Sequence, residues 1–211
     1  MHRFKNNDNH ISADEAIQIL NDGNERFMNR LSVNRDLLQQ VTDTEHAQTP
    51  FAAILSCMDS RAPAELIFDQ GIGDIFSIRM AGNIISENVL GSLEYAVAVV
   101  GSTLIMVMGH TNCGAVKGAC DDVKMGNLTV LLDKIKPAVA QETSVTDNRN
   151  GTNKEFVNKV AILNVYNSIN QMLEQSDIIR EYAESGKIKI VPAMYHVASG
   201  KVEMLKEMVP A

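Results

Sequence analysis

Two short segments of the chain contain residue types that can bind a metal ion and act on a molecule beside it. Residues 57–61 read Cys-Met-Asp-Ser-Arg, and residues 110–114 read His-Thr-Asn-Cys-Gly. Thiolate sulfur and neutral imidazole nitrogen are ligands of tetrahedral zinc, and a catalytic zinc keeps its fourth position for water or substrate. Cys57, His110 and Cys113 therefore predict a site for one Zn2+ per chain. The alternative is that both cysteines are buried packing residues and the histidine only ends a strand.

Asp59 and Arg61 follow the first predicted ligand closely enough to govern the fourth position. An ionised carboxylate only accepts hydrogen bonds, so Asp59 can hold a water molecule or hydroxide by its proton. Arg61 can bind the same carboxylate with two N–H groups and keep it ionised. We interpret the two residues as a catalytic dyad, in preference to an ordinary surface ion pair. If the pair breaks, Asp59 could reach the metal as a fourth ligand and close the site.

The charges of the predicted ligands indicate how the site should respond to pH. Two thiolates and a neutral imidazole cancel the two charges of zinc, whereas a three-histidine site keeps both charges and lowers the pKa of bound water to about 7. A neutral site should acidify water less. We therefore expect activity that rises towards alkaline pH.

Apolar runs alternate with helical patterns along the central part of the chain, which predicts an α/β fold. We expect a mostly parallel β-sheet flanked by helices, with an edge strand near the C-terminus. Pro192 suggests that the last predicted strand is this edge strand, because proline cannot donate to a neighbour. The predicted strands are 51–56, 74–79, 103–108 and 188–195, and the predicted helices are about 13–29, 63–68 (proline in its first turn), 86–100, 113–124, 128–140 and 154–183, the last broken midway.

This order of elements would bring the two segments together. Cys57 and His110 each end a predicted parallel strand, and open α/β sheets bind their ligands at the carboxyl ends of their strands. Cys113 would begin a helix, whose amino end favours a thiolate.

The first part of the chain is predicted to be a separate helical arm. Ser12 and Glu15 form a capping-box pattern before the first helix, and a second short helix is expected in the polar stretch 34–49. We divide the chain into an N-terminal helical arm, 1–48, which we expect to pack on something larger, and a zinc-binding α/β catalytic domain, 49–211.

Composition excludes several other classes of protein. The net charge of -7 argues against a nucleic-acid partner, and no apolar run approaches the length of a membrane span. The polar first residues carry no apolar signal core, so we expect a cytoplasmic protein. Three cysteines cannot all pair, and Cys120 is interpreted as a packing residue.

The combination C-x-D-S-R and H-x-x-C-G resembles the β-class carbonic anhydrases. The resemblance covers about two thirds of the chain and includes Arg-Ala-Pro-Ala-Glu at 61–65, Gly-Asp-Ile-Phe-Ser-Ile-Arg at 73–79 and Tyr-His-Val-Ala-Ser-Gly at 195–200. It implies a zinc lyase that converts carbon dioxide reversibly to bicarbonate and a proton, by attack of zinc-bound hydroxide on CO2.

The resemblance also implies further site residues and an oligomer. Gln48, Phe76, Tyr95 and Gly114 match substrate-binding positions, and the first three partly face the site of the neighbouring subunit in the family. Family members form homodimers, in which the N-terminal helix embraces the partner, and dimers often pair into homotetramers. The resemblance therefore implies that the helical arm 1–48 serves dimerisation. Without the resemblance, the glutamine would be a solvated loop residue and the two aromatic residues would belong to the core.

The chain departs from the family pattern at two positions. Met80 replaces a frequent asparagine, and Gly82, two residues further along, is expected to serve a tight backbone turn. Ile54 stands where one branch has a tryptophan for an inhibitory bicarbonate site, so we do not expect that site.

The motifs do not separate carbon dioxide from carbon disulfide or carbonyl sulfide as substrate. A non-catalytic zinc scaffold is the rival of another class, and a redox role is weaker because the chain lacks a C-x-x-C pair.

Overall fold

The computed structural model describes residues 11–206, and within them one five-stranded sheet carries the fold. Its strands are β1 (Ala52–Ser56), β2 (Ile75–Arg79), β3 (Leu104–His110), β4 (Lys189–His196) and β5 (Lys201–Met204). The order across the sheet is β2-β1-β3-β4-β5. The first four strands are parallel and β5 is antiparallel to β4. The predicted mostly parallel α/β sheet with an edge strand near the C-terminus is confirmed.

Helices cover both faces of the sheet. They are α1 (Ala13–Met28), α2 (Leu37–Asp43), α3 (Ala64–Ile67), α4 (Glu87–Glu94), α5 (Gly114–Cys120), α6 (Gly126–Asp133), α7 (Lys136–Gln141), α8 (Lys154–Gln175) and α9 (Asp177–Glu184). None of these helices is long and apolar enough to cross a membrane.

Successive side chains of the central strands point alternately into two apolar clusters, one on each face of the sheet. Leu55 and Val107 point into the cluster that contains the inner face of α8. Ile54 and Met106 point to the other face, where Leu20 of α1 packs against them. Every residue of β1 and β3 is buried, as expected for inner parallel strands.

The prediction that Pro192 marks an edge strand is wrong, because β4 pairs with β3 on one side and β5 on the other. The antiparallel ladder begins only at Ala193, opposite Met204, and Leu205 N–H donates to the Pro192 carbonyl. The missing N–H of the proline therefore falls at the end of this ladder, where little pairing is lost. The true edge, β5, lies beyond the strands that the apolar runs predicted.

Several helix boundaries also differ from the prediction. The pattern over 128–140 is divided between α6 and α7, and the helix expected over 113–124 ends at Cys120. The helix that Ser86 caps continues beyond α4 as a π-helical segment, Tyr95–Val100. Pro63 precedes α3 instead of lying in its first turn. The predicted break in the long last helix is present and lies at Ser176, which caps α9.

The capping box of the N-terminal part is confirmed, and Asp69 ties this part to the rest of the chain. Ser12 accepts from the amide of Glu15, whose carboxylate accepts from the Ser12 amide. The buried carboxylate of Asp69 accepts from Arg26 of α1 at 2.5 Å and from Arg35, just before α2, at 2.6 Å. The division at residue 48 stays a prediction.

Candidate metal centre

The register of the sheet brings the two predicted ligand segments to one edge. Ser56, the last residue of β1, is paired with Arg79 on one side and Met108 on the other. Cys57 follows β1 directly, and His110 is the last residue of β3. Both ligands therefore lie at the carboxyl ends of adjacent parallel strands, where α/β sheets bind their ligands.

The three predicted ligand atoms form one buried cluster. The atoms offered by Cys57, His110 and Cys113 all lie within 4.8 Å of one another. The two sulfurs are 4.0 Å apart, and each of the three residues is at most 5% exposed. His110 Nδ1 lies 3.0 Å from the carbonyl oxygen of Thr111. In the tautomer protonated at Nδ1, the Nδ1–H group donates to this carbonyl, and the lone pair of Nε2 is available to a metal.

The donor set fits zinc. A tetrahedron with Zn–S bonds of about 2.3 Å places two sulfurs about 3.8 Å apart. The observed separation of 4.0 Å is close to that value and far too long for a disulfide, whose S–S bond is about 2.05 Å. The buried His110 Nε2 has no hydrogen-bond partner among residues 11–206, which is the state of a ligand atom whose partner is a metal.

The thiols perturb one another strongly. The pKa of Cys57 is lowered, first by the hydrogen bond from the Cys113 thiol and also by the backbone amide of Gly82. The pKa of Cys113 is raised because it would ionise beside the Cys57 sulfur and away from water. A divalent cation would relieve this repulsion and allow both residues to be thiolates. Cys120 lies outside the cluster, and burial raises the pKa of its thiol to about 11, which fits a packing role.

Asp59 lies beside the cluster and is held by Arg61. Arg61 donates from Nε to Oδ1 at 2.9 Å and from Nη2 to Oδ2 at 2.7 Å, and its backbone amide donates to Oδ1 at 2.9 Å. The side-chain hydrogen bonds from Arg61 hold the pKa of Asp59 well below its usual range, so the carboxylate is ionised. Asp59 Oδ2 is 3.9 Å from His110 Nε2.

Two contacts near this loop were not predicted from the sequence. Arg79, the last residue of β2, donates from Nη2 to the Asp59 carbonyl at 2.5 Å and from Nε to the Cys57 carbonyl at 3.3 Å. The amide of Gly82 lies 3.4 Å from Cys57 Sγ. The position of Arg79 at the end of an apolar strand is a sequence signal for the first contact. No local sequence pattern indicates that a backbone amide contacts a cysteine sulfur. Gly82 serves the tight turn that the sequence predicted, with a φ of 68°, and its amide also contacts the first ligand.

Comparisons with known proteins point to one family. The family model for carbonic anhydrase matches residues 52–202. The chain is 34% identical over 205 residues to a carbonic anhydrase of Mycolicibacterium smegmatis, which covers 94% of each chain. It is also 34% identical over 201 residues to carbonic anhydrase 2 of Mycobacterium tuberculosis, which covers 92% of each.

The chain belongs to the β-class carbonic anhydrase family. One of two tetrameric β-carbonic anhydrases of Sordaria macrospora is 26% identical, covers 91% of this chain and 97% of its own, and has a TM-score of 0.70. A β-carbonic anhydrase of Aspergillus fumigatus shares the fold with a TM-score of 0.74, at 24% identity and coverage of 92% and 93%. The reaction of this carbonic anhydrase is the reversible hydration of carbon dioxide to bicarbonate, and Cys57, His110 and Cys113 are its zinc site.

The expected substrate-binding residues of the carbonic anhydrase do not all gather at the cluster of their own chain. Gln48 is exposed in the loop before β1, whereas Cys57 follows the other end of that strand. Five residues of strand separate its ends by about 13 Å. Gly114 begins α5 beside Cys113, and the space that a side chain there would fill is open.

Phe76 and Tyr95 form a second, separate group. Their rings meet edge to face with centroids 6.3 Å apart, and both line a surface pocket of about 640 Å³ that contains none of the three zinc ligands. Tyr95 is 49% exposed and begins the π-helical segment, a local distortion that often marks functional sites.

Proposed function

We propose that the carbonic anhydrase hydrates carbon dioxide at a three-ligand zinc site whose fourth position Asp59 serves without occupying it. One observation carries this proposal: both carboxylate oxygens of Asp59 accept from Arg61, although Oδ2 lies only 3.9 Å from His110 Nε2. A carboxylate held in this way would stay beside a bound metal and would not be free to become its fourth ligand. A closed structural zinc site needs four protein ligands, so this geometry favours the enzyme over a zinc scaffold.

The protein residues of the site would divide the work of hydration. When bound, zinc acts as a Lewis acid and generates a nucleophile from water near neutral pH. Asp59, ionised and without a proton to donate, would accept a hydrogen bond from the attacking water and orient its lone pair towards the carbon of CO2. Arg61 would keep the carboxylate ionised and aimed. Gly114 would leave room for the substrate because it has no side chain.

The test of this division of work is Asp59→Asn at unchanged zinc content. The amide is nearly isosteric with the carboxylate, but it can donate and carries no charge. We expect kcat/KM for carbon dioxide hydration to fall about 10²- to 10³-fold with one zinc per chain retained. Wild-type turnover in a fully zinc-loaded Asp59→Asn protein would contradict the role of Asp59.

We further propose that the active unit is a homodimer in which Gln48, Phe76 and Tyr95 complete the site of the partner subunit. Support comes from the separation of Gln48 from Cys57 along β1 and from the pocket that Phe76 and Tyr95 line away from the zinc ligands. Exposed apolar side chains offer material for an interface, among them Leu31, Leu38, Leu66 and Val99, each at least 65% exposed. The tetrameric relative from Sordaria macrospora is consistent with such assembly. We propose a cytoplasmic location because the three cysteines are unpaired, as expected in a reducing compartment.

Mixing two inactive variants tests the shared site. Gln48→Ala would impair the partner's site, and Cys57→Ser would remove the zinc site of its own chain. If the site is shared, co-refolded mixed dimers contain one intact site, so about a quarter of all sites should regain activity. Recovery is not expected if Gln48 serves its own chain, because every chain then carries one defect. Light scattering on the same samples reports whether dimers have formed.

A further inference from the structure

The inner face of α8 is apolar except for two polar side chains that are fully enclosed. Asn164 and Ser168 are each 2% exposed, and they lie one helical turn apart among residues such as Val160, Ala161 and Val165. Buried amide and hydroxyl groups are destabilising unless they are hydrogen-bonded. Their presence on a face that packs against the sheet therefore calls for a specific partner.

Both side chains hold the short turn Ala81–Asn83. Asn164 Nδ2 donates to the Gly82 carbonyl at 2.7 Å, and Ser168 Oγ donates to the Asn83 carbonyl at 3.0 Å. Gly82 and Asn83 both have left-handed backbone angles, with φ of 68° and 43°. Two such residues in succession interrupt regular backbone pairing, so their carbonyls depend on partners from another element.

The turn held in this way supports the first zinc ligand. The Gly82 amide is directed at Cys57 Sγ at 3.4 Å, while the carbonyl of the same residue accepts from Asn164. The peptide around Gly82 thus links a buried amide of α8 to a buried sulfur at the end of β1. Hydrogen bonds to a metal-bound sulfur orient the ligand and tune its bond to the metal.

The same helix also contacts the other ligand segment. Asn158 Oδ1 accepts from the backbone amide of Asn112, which lies between His110 and Cys113. Asn112 has a φ of 61°, another left-handed angle that its surroundings must stabilise. Helix α8 therefore touches the supports of both ligand segments without contributing a ligand itself.

We propose that Asn164 is a positioning residue for the zinc site: it fixes the turn 81–83 so that the Gly82 amide donates to Cys57 Sγ, with Ser168 as the second support of that turn. Nothing in the local sequence requires an asparagine at position 164, whose neighbours on the buried face of α8 are mostly apolar. The hydrogen bond that Asn164 donates to the Gly82 carbonyl explains why this position is polar. This inference deepens the proposed function at the same site, and its test reads metal binding, so it can fail or succeed independently of carbon dioxide turnover.

The decisive comparison is Asn164→Leu against Asn24→Leu. Asn24 is a matched control because it is 3% exposed, donates to the carbonyls of Ile67 and Gly200, and accepts from the amide of Val202 on the other face of the sheet. Both changes remove a buried asparagine that holds backbone groups. Only the first breaks the connection to Cys57.

Two measurements separate positioning from general stability. Zinc affinity, measured by competition with an absorbing chelator, should fall about 10- to 100-fold in Asn164→Leu and stay unchanged in Asn24→Leu. With Co2+ in place of zinc, the thiolate-to-metal charge-transfer band should shift in Asn164→Leu alone. Wild-type affinity and an unshifted band in Asn164→Leu would overturn the proposal, and so would an equal loss of affinity in Asn24→Leu.

A milder variant keeps the proposal testable where Asn164→Leu does not fold. Ser168→Ala removes only the hydrogen bond to the Asn83 carbonyl, and we expect it to fold and to bind zinc several-fold more weakly. A Ser168→Ala protein with wild-type zinc affinity would count against the turn as a support of the metal site.

Discussion

Replacement of Gly82 by alanine tests how tightly the turn 81–83 is packed against the zinc site. At its φ of 68°, an added Cβ would lie 2.6 Å from Cδ1 of Ile135 and 3.3 Å from Cβ of Ala115. Ile135 is fully buried, so its side chain has little room to move. The substitution therefore combines backbone strain with a steric clash next to Cys57.

The two effects can be given separate magnitudes. A left-handed backbone costs an alanine about 1–2 kcal/mol. Overpacking a buried site by one methyl group adds about 1–3 kcal/mol. We expect Gly82→Ala to lower the free energy of unfolding by about 2–5 kcal/mol in all. Any relaxation of the turn would also move the Gly82 amide away from Cys57 Sγ and weaken zinc binding about 10- to 100-fold.

Gly186→Ala is the matched control for this variant. Gly186 has nearly the same φ, 71°, but a Cβ there would meet nothing within 4 Å. It should lose only the backbone contribution, about 1–2 kcal/mol, and bind zinc normally. Urea denaturation with a chelator present measures the stability of the metal-free proteins, and chelator competition measures zinc affinity. If Gly82→Ala destabilises no more than Gly186→Ala and binds zinc as wild type does, the reasoning about this close approach is refuted.

Two further predictions concern the loop at the site and the attachment of the N-terminal part. Arg79→Ala removes both hydrogen bonds to the carbonyls of Cys57 and Asp59. We expect kcat/KM to fall about 10- to 100-fold, because a small displacement of a catalytic group slows the reaction strongly. Stopped-flow hydration at constant zinc content checks this, and an unchanged kcat/KM would show that the loop keeps its conformation without Arg79. Asp69→Asn leaves two arginines without their buried carboxylate and should lower stability at neutral pH by about 2–4 kcal/mol in urea denaturation. Burial favours the neutral acid at Asp69, but hydrogen bonds from Arg35 and Arg26 outweigh it and lower the pKa of the carboxyl. Its contribution is therefore fully present above the ordinary carboxyl pKa of about 4 and is lost as the pH falls from there through the lowered pKa of the folded protein. The difference between the two proteins should shrink in acid, and a constant difference would contradict the ion-pair explanation.

The zinc ligands could be predicted from the sequence because their positions depend on local patterns. Buried parallel strands are continuous apolar runs, and such runs end immediately before Cys57 and at His110. Once both strands are parallel and adjacent, their carboxyl ends must meet. The capping box at Ser12 is equally local and was predicted for the same reason.

Features that depend on tertiary contacts could not be predicted in this way. Pro192 suggested an edge, but whether a strand is inner or outer depends on where β5 begins to pair. Asn164 reads as an ordinary helical residue, because only the folded chain brings the Gly82 carbonyl to it. The break between α6 and α7 divides a pattern that reads as one helix in the sequence.

The most direct test of the central claim is stopped-flow carbon dioxide hydration from about pH 6 to about pH 9, on protein whose zinc content has been measured. Asp59 is ionised across this range because Arg61 holds its pKa well below the usual carboxyl value, so its titration cannot shape the profile. We expect activity at one zinc per chain that rises towards alkaline pH, and no activity in a Cys113→Ser protein that has lost its zinc. Protein with one zinc per chain that is inactive at every pH would contradict it.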